Sequence, residues 1–173
     1  MTADKVPTEL AYNAVDGTVK WGYLLKPEDT SLRCIKLLLD QRQTLPSWVT
    51  SDSLFDQLQS SGKTPVRAVA DYLTELHAIA IKEMTRRFGQ QMMLTTRIEY
   101  VLTVPAVWSD SAKNATLQAA EKAGMGNKHE LKLISEPEAA MLHALKTVQP
   151  QNLKVGDNFV ICDAGGGTVD LIA

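Results

Sequence analysis

The sequence predicts an α/β domain in which helices alternate with strands of mixed direction. Two observations lead to this prediction. Short apolar runs typical of strands alternate with longer amphipathic segments over residues 64–147. Two further pairs of strand-like runs, over residues 6–25 and 159–173, are joined by turn residues, and such hairpins are antiparallel. With 173 residues, the chain is long enough to form one domain with its own core.

The N-terminal part is predicted to be a hairpin, a short helix and a loop. Asp16-Gly17 is a typical turn pair in the middle of the hairpin. The following segment, KPEDTSLRCIKLLLD, has the apolar spacing of a short helix or turn, with Lys36 among apolar residues. By pattern alone, Lys36 is a lysine whose stem lies along a helix edge. Residues 40–63 are rich in Gln, Ser, Thr and Asp, which favours a surface loop or an insertion.

A long helix is predicted over residues 64–89. Thr64 and Pro65 form a typical N-cap and first-turn pair, and apolar residues then recur at helical spacing. His77 lies on this apolar face, and the three histidines of the chain form no cluster in the sequence. We therefore interpret His77 as a packing residue and not as a metal ligand.

Two strand–helix units follow the long helix. The first strand covers residues 98–104 and precedes an alanine-rich helix whose N-cap is Ser109 or Asp110. The second strand covers residues 131–134 and leads into a helix that begins at Glu136. Each unit places special residues after the carboxyl end of a strand, where open α/β sheets bind their ligands.

The last segment, FVICDAGGGTVDLIA, is the most informative one. It predicts a strand, a glycine turn and a returning strand. Three successive glycines remove every Cβ from the turn, so backbone N–H groups can contact an anion. Asp163 and Asp170 flank the turn, and Mg²⁺ prefers carboxylate oxygens together with substrate phosphates. For this segment alone, an ordinary glycine hairpin remains the alternative.

Three blocks of the sequence, taken together, resemble the nucleotide-binding domain of the heat-shock-70 chaperones, in the actin-like ATPase superfamily. They are VLTVPAVWSDSAKNATLQAAEKAGM, LKLISEPEAAMLHAL and FVICDAGGGTVDLIA. The resemblance is strong over residues 98–173 and weaker in the opening hairpin and in CIKLLLD. It implies an actin-like ATPase fold of the ribonuclease H-like type, first lobe only, with a mixed sheet flanked by helices. Bacterial actin homologues share the pattern and remain an alternative, whereas EPEAA argues against a sugar or acetate kinase.

The resemblance implies a site for ATP or ADP with Mg²⁺. Asp163 matches the residue that holds the metal through water, and Asp170 matches a second carboxylate on metal or water. Glu136 matches a glutamate that orients water near the metal, and Lys36 is the candidate for the catalytic lysine. The phosphates would be cradled by Gly165, Gly166, Gly167 and Thr168.

The resemblance also implies a switch at Pro105. The basic partner of this proline is an arginine in the family, and Lys113 occupies that place here. Lysine offers a point charge instead of a planar fork, so we expect a weaker switch. By pattern alone, Pro105 is a strand terminator, Glu136 is a carboxylate favoured at a helix N-terminus, and Asp170 is an exposed strand residue.

Composition narrows the possible environments and partners. The net charge of −2 gives no indication of binding to nucleic acid or to an anionic membrane. No run is apolar and long enough to cross a bilayer, and the first residues do not resemble a signal peptide. Cys162 is expected to be a small buried residue of its strand. The lack of a disulfide pattern favours a reducing, cytoplasmic setting. Co-chaperones and client proteins are expected partners of a full-length form.

The extent of the resemblance predicts a partial domain. The family's nucleotide-binding domain has two lobes and a first phosphate loop of the type DxGTT before the hairpin. The resemblance here begins at the hairpin and stops after the glycine loop. We therefore expect residues 1–173 to be a truncated domain that hydrolyses ATP poorly or not at all by itself. The alternative is a non-catalytic relic or interaction module, which Mg-dependent nucleotide binding would distinguish from an ATPase.

Overall fold

A computed structural model of the protein describes residues 5–13, 16–42, 45, 51–127, 129–147, 154, 156–158, 160–165 and 169–172. The strands are β1 Glu9–Tyr12, β2 Val19–Trp21, β3 Leu32–Arg33, β4 Tyr100–Val104, β5 Leu131–Ser135, β6 Ile161–Ala164 and β7 Val169–Ile172. The helices are α1 Ser51–Ser60, α2 Pro65–Phe88, α3 Gln90–Thr95, α4 Asp110–Lys122 and α5 Glu136–Thr147, and two 3-10 helices cover Gly22–Leu24 and Ile35–Leu39.

The N-terminal hairpin is confirmed and belongs to a three-stranded antiparallel sheet with the order β2-β1-β3. Its turn is shaped by Asp16, whose Oδ1 accepts hydrogen bonds from the backbone N–H and the hydroxyl of Thr18. Gly17 adopts a φ of 70°, a conformation that favours glycine. The third strand has only two residues, which is too short to leave a pattern in the sequence.

The prediction of a loop over residues 40–63 is wrong for residues 51–60, which form α1. Leu54 and Leu58 are one helical turn apart and are buried, with exposed fractions of 7% and 2%. The helix packs against β3 through this narrow apolar stripe. Tertiary burial of two leucines therefore outweighs the polar, loop-like composition of the segment.

The long helix α2 is confirmed at both ends. The Thr64 side chain accepts a hydrogen bond from the N–H of Arg67, and Gly89 ends the helix with a φ of 84°. This helix packs against α4, in which Ala112 and Ala119 have no exposed surface, as small residues permit close helix approach. His77 is a packing residue as expected, and its Nε2 forms a 2.7 Å hydrogen bond with the Tyr100 hydroxyl.

The other strands form a parallel pair, β4–β5, and an antiparallel pair, β6–β7. The α/β prediction with mixed strand directions is therefore confirmed, although parallel and antiparallel pairs belong to separate sheets within the described ranges. Helix α5 contacts both pairs, so it connects the parallel strands to the C-terminal hairpin. No helix of the described residues is both long and apolar enough to cross a membrane.

Candidate functional site

The parallel register of β4 and β5 defines one edge of the site. The two strands end opposite each other, with Val104 paired to Ser135. The residues that follow directly, Pro105 and Glu136, therefore leave the same edge of the sheet. Carboxyl edges of parallel strands are the usual ligand-binding edges of α/β proteins, which makes this the first place to look for a site.

The ammonium group of Lys36 forms an ion pair with Glu136 Oε1 at this edge. Lys36 lies on the 3-10 helix Ile35–Leu39, and Glu136 is the first residue of α5. The side chain of Lys36 is 43% exposed and that of Glu136 is 17% exposed, so the pair opens to solvent on the lysine side. The structure thus brings together two residues that the sequence predicted separately, and their roles stay predictions.

The capping of α5 explains how Glu136 is positioned. Ser135 and Glu138 form a reciprocal capping pair, in which the Ser135 hydroxyl donates to Glu138 Oε2 at 2.9 Å and accepts from the Glu138 N–H. The Glu138 carboxylate is occupied by this cap. The Glu136 carboxylate is directed to Lys36 instead, so the two glutamates of the segment SEPE have different contacts.

Two further contacts at this edge were not predicted from the sequence. The indole ring of Trp108 lies 5.5 Å from Lys36 Nζ, measured to the ring centroid. The Ser109 hydroxyl donates a 3.1 Å hydrogen bond to Oδ1 of Asp40, a carboxylate that is only 4% exposed. Each contact joins segments about 70 residues apart, and no local pattern in the sequence signals such a pairing.

The C-terminal hairpin places Asp163 directly opposite Asp170. Opposed residues of an antiparallel pair share a face, so the two carboxylates are neighbours, with Cβ atoms about 5 Å apart. Asp163 is half-buried and Asp170 is 4% exposed, so the alternative of an exposed Asp170 is wrong. The Oδ2 atom of Asp170 is buried and has no hydrogen-bond partner among the described residues.

This carboxylate pair fits a magnesium ion. Like charges that face each other across a β-ladder are unfavourable unless a cation lies between or beside them. Within the described part of the chain no group of three or more His, Cys, Asp or Glu side chains is arranged to hold a metal. Mg²⁺ is commonly bound by one or two carboxylates, with water and substrate phosphates as the other ligands, which agrees with Asp163 and Asp170.

The predicted phosphate loop lies largely outside the described residues. Gly165 is described and exposed, whereas Gly166, Gly167 and Thr168 are not among the residues that the structure describes. The ladder on either side is complete up to the pair Ala164 and Val169, so the loop joins two paired strand ends. The cradling of phosphate by this loop stays a prediction.

The two predicted switch residues have separate contacts. Pro105 is fully buried, and its carbonyl accepts a 3.2 Å hydrogen bond from the Trp108 N–H. Lys113 lies in the first turns of α4, where its Nζ is 3.8 Å from Asp110 Oδ1 on the same helix. The proline is therefore a rigid part of the site edge, while the switch role of both residues stays a prediction.

The two cysteines are free thiols and differ in environment. Cys34 precedes the helix that carries Lys36 and adopts a left-handed conformation with a φ of 55°. Burial raises the pKa of the Cys34 thiol, so it stays protonated near neutral pH and is no candidate nucleophile. Cys162 is exposed, so the expectation of a buried small residue is wrong: its side chain points to the exposed face of the hairpin.

The comparisons with known proteins all indicate the same protein family. The family model described as Hsp70 protein matches residues 59–172, more than half of the chain. A "Heat shock protein 70 homolog" of Acanthamoeba polyphaga mimivirus is 37% identical over 86 residues, which are 50% of this chain and 9% of the relative. A "Chaperone protein HscA homolog" of Acinetobacter baumannii is 34% identical over 115 residues, covering 66% of this chain and 16% of the relative. Another of that name, from Actinobacillus pleuropneumoniae, is 30% identical over 159 residues, covering 85% of this chain and 23% of the relative.

Proposed function

This chain belongs to the Hsp70 family, and we propose that it forms the metal- and phosphate-binding side of an ATPase site. The observation that supports this most directly is the ion pair of Lys36 and Glu136 at the carboxyl edge of the parallel strands. The chain spans between 9% and 23% of the length of the relatives described above, so the activity of a whole protein is part of the proposal.

In the proposed reaction, a phosphoryl group is transferred from ATP to water. Such transfer depends on positioning and on neutralising charge, and little covalent chemistry is required of the protein. Lys36 would place its positive charge against the phosphates, and Glu136 would orient water. Asp163 and Asp170 would hold Mg²⁺, which when bound neutralises charge on the phosphate oxygens.

The C-terminal hairpin supports the metal part of the proposal. Asp170 is buried, faces a second carboxylate, and has one oxygen without a hydrogen-bond partner among the described residues. This arrangement is unfavourable in the absence of a cation, because buried carboxylates need a donor or a positive charge nearby. The hairpin packs against α5, the helix that begins at Glu136, so the residues proposed to bind metal and to orient water belong to neighbouring elements.

The proposal is tested by calorimetric titration of the protein with Mg·ADP and Mg·ATP. We expect binding that requires Mg²⁺ and that weakens at least tenfold in Asp163→Asn, because a charge-assisted contact is worth about 1.5–3 kcal/mol. We expect a similar loss in Lys36→Met. The matched controls are Asp56→Asn and Lys82→Met, which change exposed residues of α1 and α2 and should leave the affinity unchanged.

The titration also decides between the ATPase and a non-catalytic interaction module of the same fold. Absence of nucleotide binding in a chain with a cooperative unfolding transition would contradict the ATPase proposal and support the module. If binding is found, release of phosphate from ATP is measured next, on the chain and on any longer form of the protein.

The relatives' names describe chaperones, and we extend that role to this protein as part of the proposal. Nucleotide would then control the binding of client proteins, with co-chaperones as further partners. A cytoplasmic location belongs to the same proposal, because both cysteines are free thiols.

A further inference from the structure

The ammonium group of Lys36 has an aromatic neighbour as well as an acidic one. Its Nζ lies over the indole ring of Trp108, 5.5 Å from the centroid. A cation over an aromatic face at this distance is attracted by the negative charge of the π-system, and tryptophan provides the strongest such interaction. Glu136 holds the same ammonium by an ion pair, so the lysine is bound from two sides.

The Trp108 ring is held rigidly with respect to the helix that carries Lys36. Trp108 is 3% exposed, and its backbone N–H donates a hydrogen bond to the Pro105 carbonyl. The next residue, Ser109, donates its hydroxyl hydrogen to Asp40 at 3.1 Å, and Asp40 is the C-cap residue of the 3-10 helix Ile35–Leu39. The two segments are therefore connected directly beside the contact between the indole and the lysine.

The polar atom of the indole ring takes no part in this arrangement. Trp108 Nε1 is buried and has no hydrogen-bond partner among the described residues. A buried N–H group without an acceptor is unfavourable, and phenylalanine or leucine would occupy this position without that cost. What tryptophan offers here beyond leucine or phenylalanine is the stronger attraction of its ring for the Lys36 ammonium.

We propose that Trp108 is a positioning residue that holds the Lys36 ammonium at the site edge, beside Glu136. The contribution of this contact to nucleotide binding rests on the function proposed above. The contact itself does not, because it stabilises the ammonium of Lys36 whether or not a nucleotide is bound. The two can therefore be tested separately.

The first test measures the reactivity of Lys36 toward an acetylating reagent by mass spectrometry, as a function of pH. Only the neutral amine reacts, so an ammonium held over the indole ring is protected and reacts more slowly than one without this contact. We expect Trp108→Leu to raise the rate of acetylation at Lys36 about fivefold, because this is the effect of losing a partly exposed cation–π contact. Trp108→Phe should give an intermediate rate, and Lys82 serves as the internal reference in each sample.

The result is interpreted only for variants that retain a cooperative unfolding transition. If Trp108→Leu does not fold, Trp108→Phe still decides the question, because it keeps an aromatic ring with a weaker face. A Lys36 profile identical to that of the wild-type protein in the folded variants would overturn the proposal.

A second test examines the contact from the tryptophan side and needs no change at Trp108. The indole N–H resonance of Trp108 is followed in ¹H–¹⁵N spectra of Lys36→Met and of the control Lys82→Met. We expect a shift of the Trp108 resonance in the first variant and none in the second. Equal spectra would contradict the proposal, while nucleotide titration of the wild-type protein separately decides the proposed function.

Discussion

The ammonium group of Lys36 is paired with the carboxylate of Glu136, although the two residues are 100 positions apart in the sequence. The pair connects the segment after the N-terminal sheet to the first turn of α5, and it lies where both parallel strands end. Because the lysine side chain is 43% exposed, we expect the pair to contribute little to stability. Its position at the edge where α/β sheets usually bind their ligands suggests a functional role instead.

The first prediction separates the effect of this ion pair on stability from its effect on ATP hydrolysis. Glu136→Gln should lower the free energy of unfolding by less than about 1 kcal/mol, because partly exposed ion pairs are weak. In any form of the protein that hydrolyses ATP, the same change should reduce single-turnover hydrolysis at least tenfold, because it removes the carboxylate that is proposed to orient the attacking water. Urea denaturation and phosphate release measure the two effects.

Glu138→Gln is the matched control for this prediction. Glu138 lies in the same helical turn, but its carboxylate accepts hydrogen bonds from the N–H and hydroxyl of Ser135. The side-chain oxygen of a glutamine can accept the same hydrogen bonds. We expect Glu138→Gln to leave phosphate release unchanged. Equal loss in both variants would show that the effect comes from the helix end as a whole and not from the pair with Lys36.

The second prediction concerns the facing carboxylates of the C-terminal hairpin. Asp170→Asn should raise the free energy of unfolding in metal-free solution by about 1 kcal/mol, because it removes one of two facing like charges, at a buried position where Oδ2 has no hydrogen-bond partner among the described residues. It should also abolish any increase in melting temperature caused by Mg²⁺ with nucleotide. Thermal unfolding with and without Mg²⁺ tests both effects, and Asp56→Asn on exposed α1 should change neither. A destabilised, still metal-responsive Asp170→Asn would contradict the proposed metal role.

Helix ends and the edge of the parallel strands could be predicted from the sequence because their causes are local. Thr64 and Gly89 mark the ends of α2 by their capping chemistry, and Pro105 marks the end of β4. The position of Glu136 directly after a strand followed from the same reasoning, whereas Asp163, which was expected at the end of a strand, lies inside β6. Because parallel strands end at one edge, the approximate location of the candidate site was predicted in the same way, and its role stays a prediction.

Other features could not be predicted because their causes are contacts between distant segments. Helix α1 has a polar composition, and it is stabilised by the burial of Leu54 and Leu58 against elements far from it in the sequence. The contacts of Trp108 with Lys36 and of Ser109 with Asp40 depend on how α4 packs beside the 3-10 helix. A sequence pattern gives the type of an element, but not which face of it meets another segment.

The third prediction compares two N-cap residues, of which one also contacts a distant segment. Ser109 and Thr64 are both N-cap residues whose side chains accept a backbone N–H, at the starts of α4 and α2. Ser109 also donates to buried Asp40, whereas no such second contact is described for Thr64. Ser109→Ala should therefore cost about 2 kcal/mol of stability and Thr64→Ala about 1 kcal/mol. The cost of Ser109→Ala is larger because this change removes both a helix cap and a hydrogen-bond donor to a buried carboxylate. Urea denaturation distinguishes them, and equal costs would mean that the bond to Asp40 adds nothing.

A partly buried polar network, centred on Asp71, connects the N-terminal sheet to α2. The Tyr12 hydroxyl donates a 3.0 Å hydrogen bond to Asp71, a carboxylate that is 8% exposed. Asp71 also forms ion pairs with Lys63 at 3.1 Å and with Arg67 at 2.8 Å, and Lys63 lies over the Tyr12 ring. Burial of the phenol, and next the negative charge of Asp71, raise the pKa of Tyr12 well above its usual value.

The final prediction follows from the sign of this shift. A group with a raised pKa in the folded state adds stability below its unfolded pKa, about 10 for tyrosine, and loses it as the pH rises toward the folded value. Tyr12→Phe should therefore be less stable than the wild-type protein at pH 7, by about 1–2 kcal/mol for one hydrogen bond to a carboxylate. The difference should stay constant up to about pH 9.5 and then shrink as the pH rises further, because only the wild-type protein has a phenol at position 12 to ionise. Urea denaturation of both proteins from pH 7 to pH 11 measures the difference, and a difference that does not change with pH would refute the assignment of the raised pKa to Tyr12.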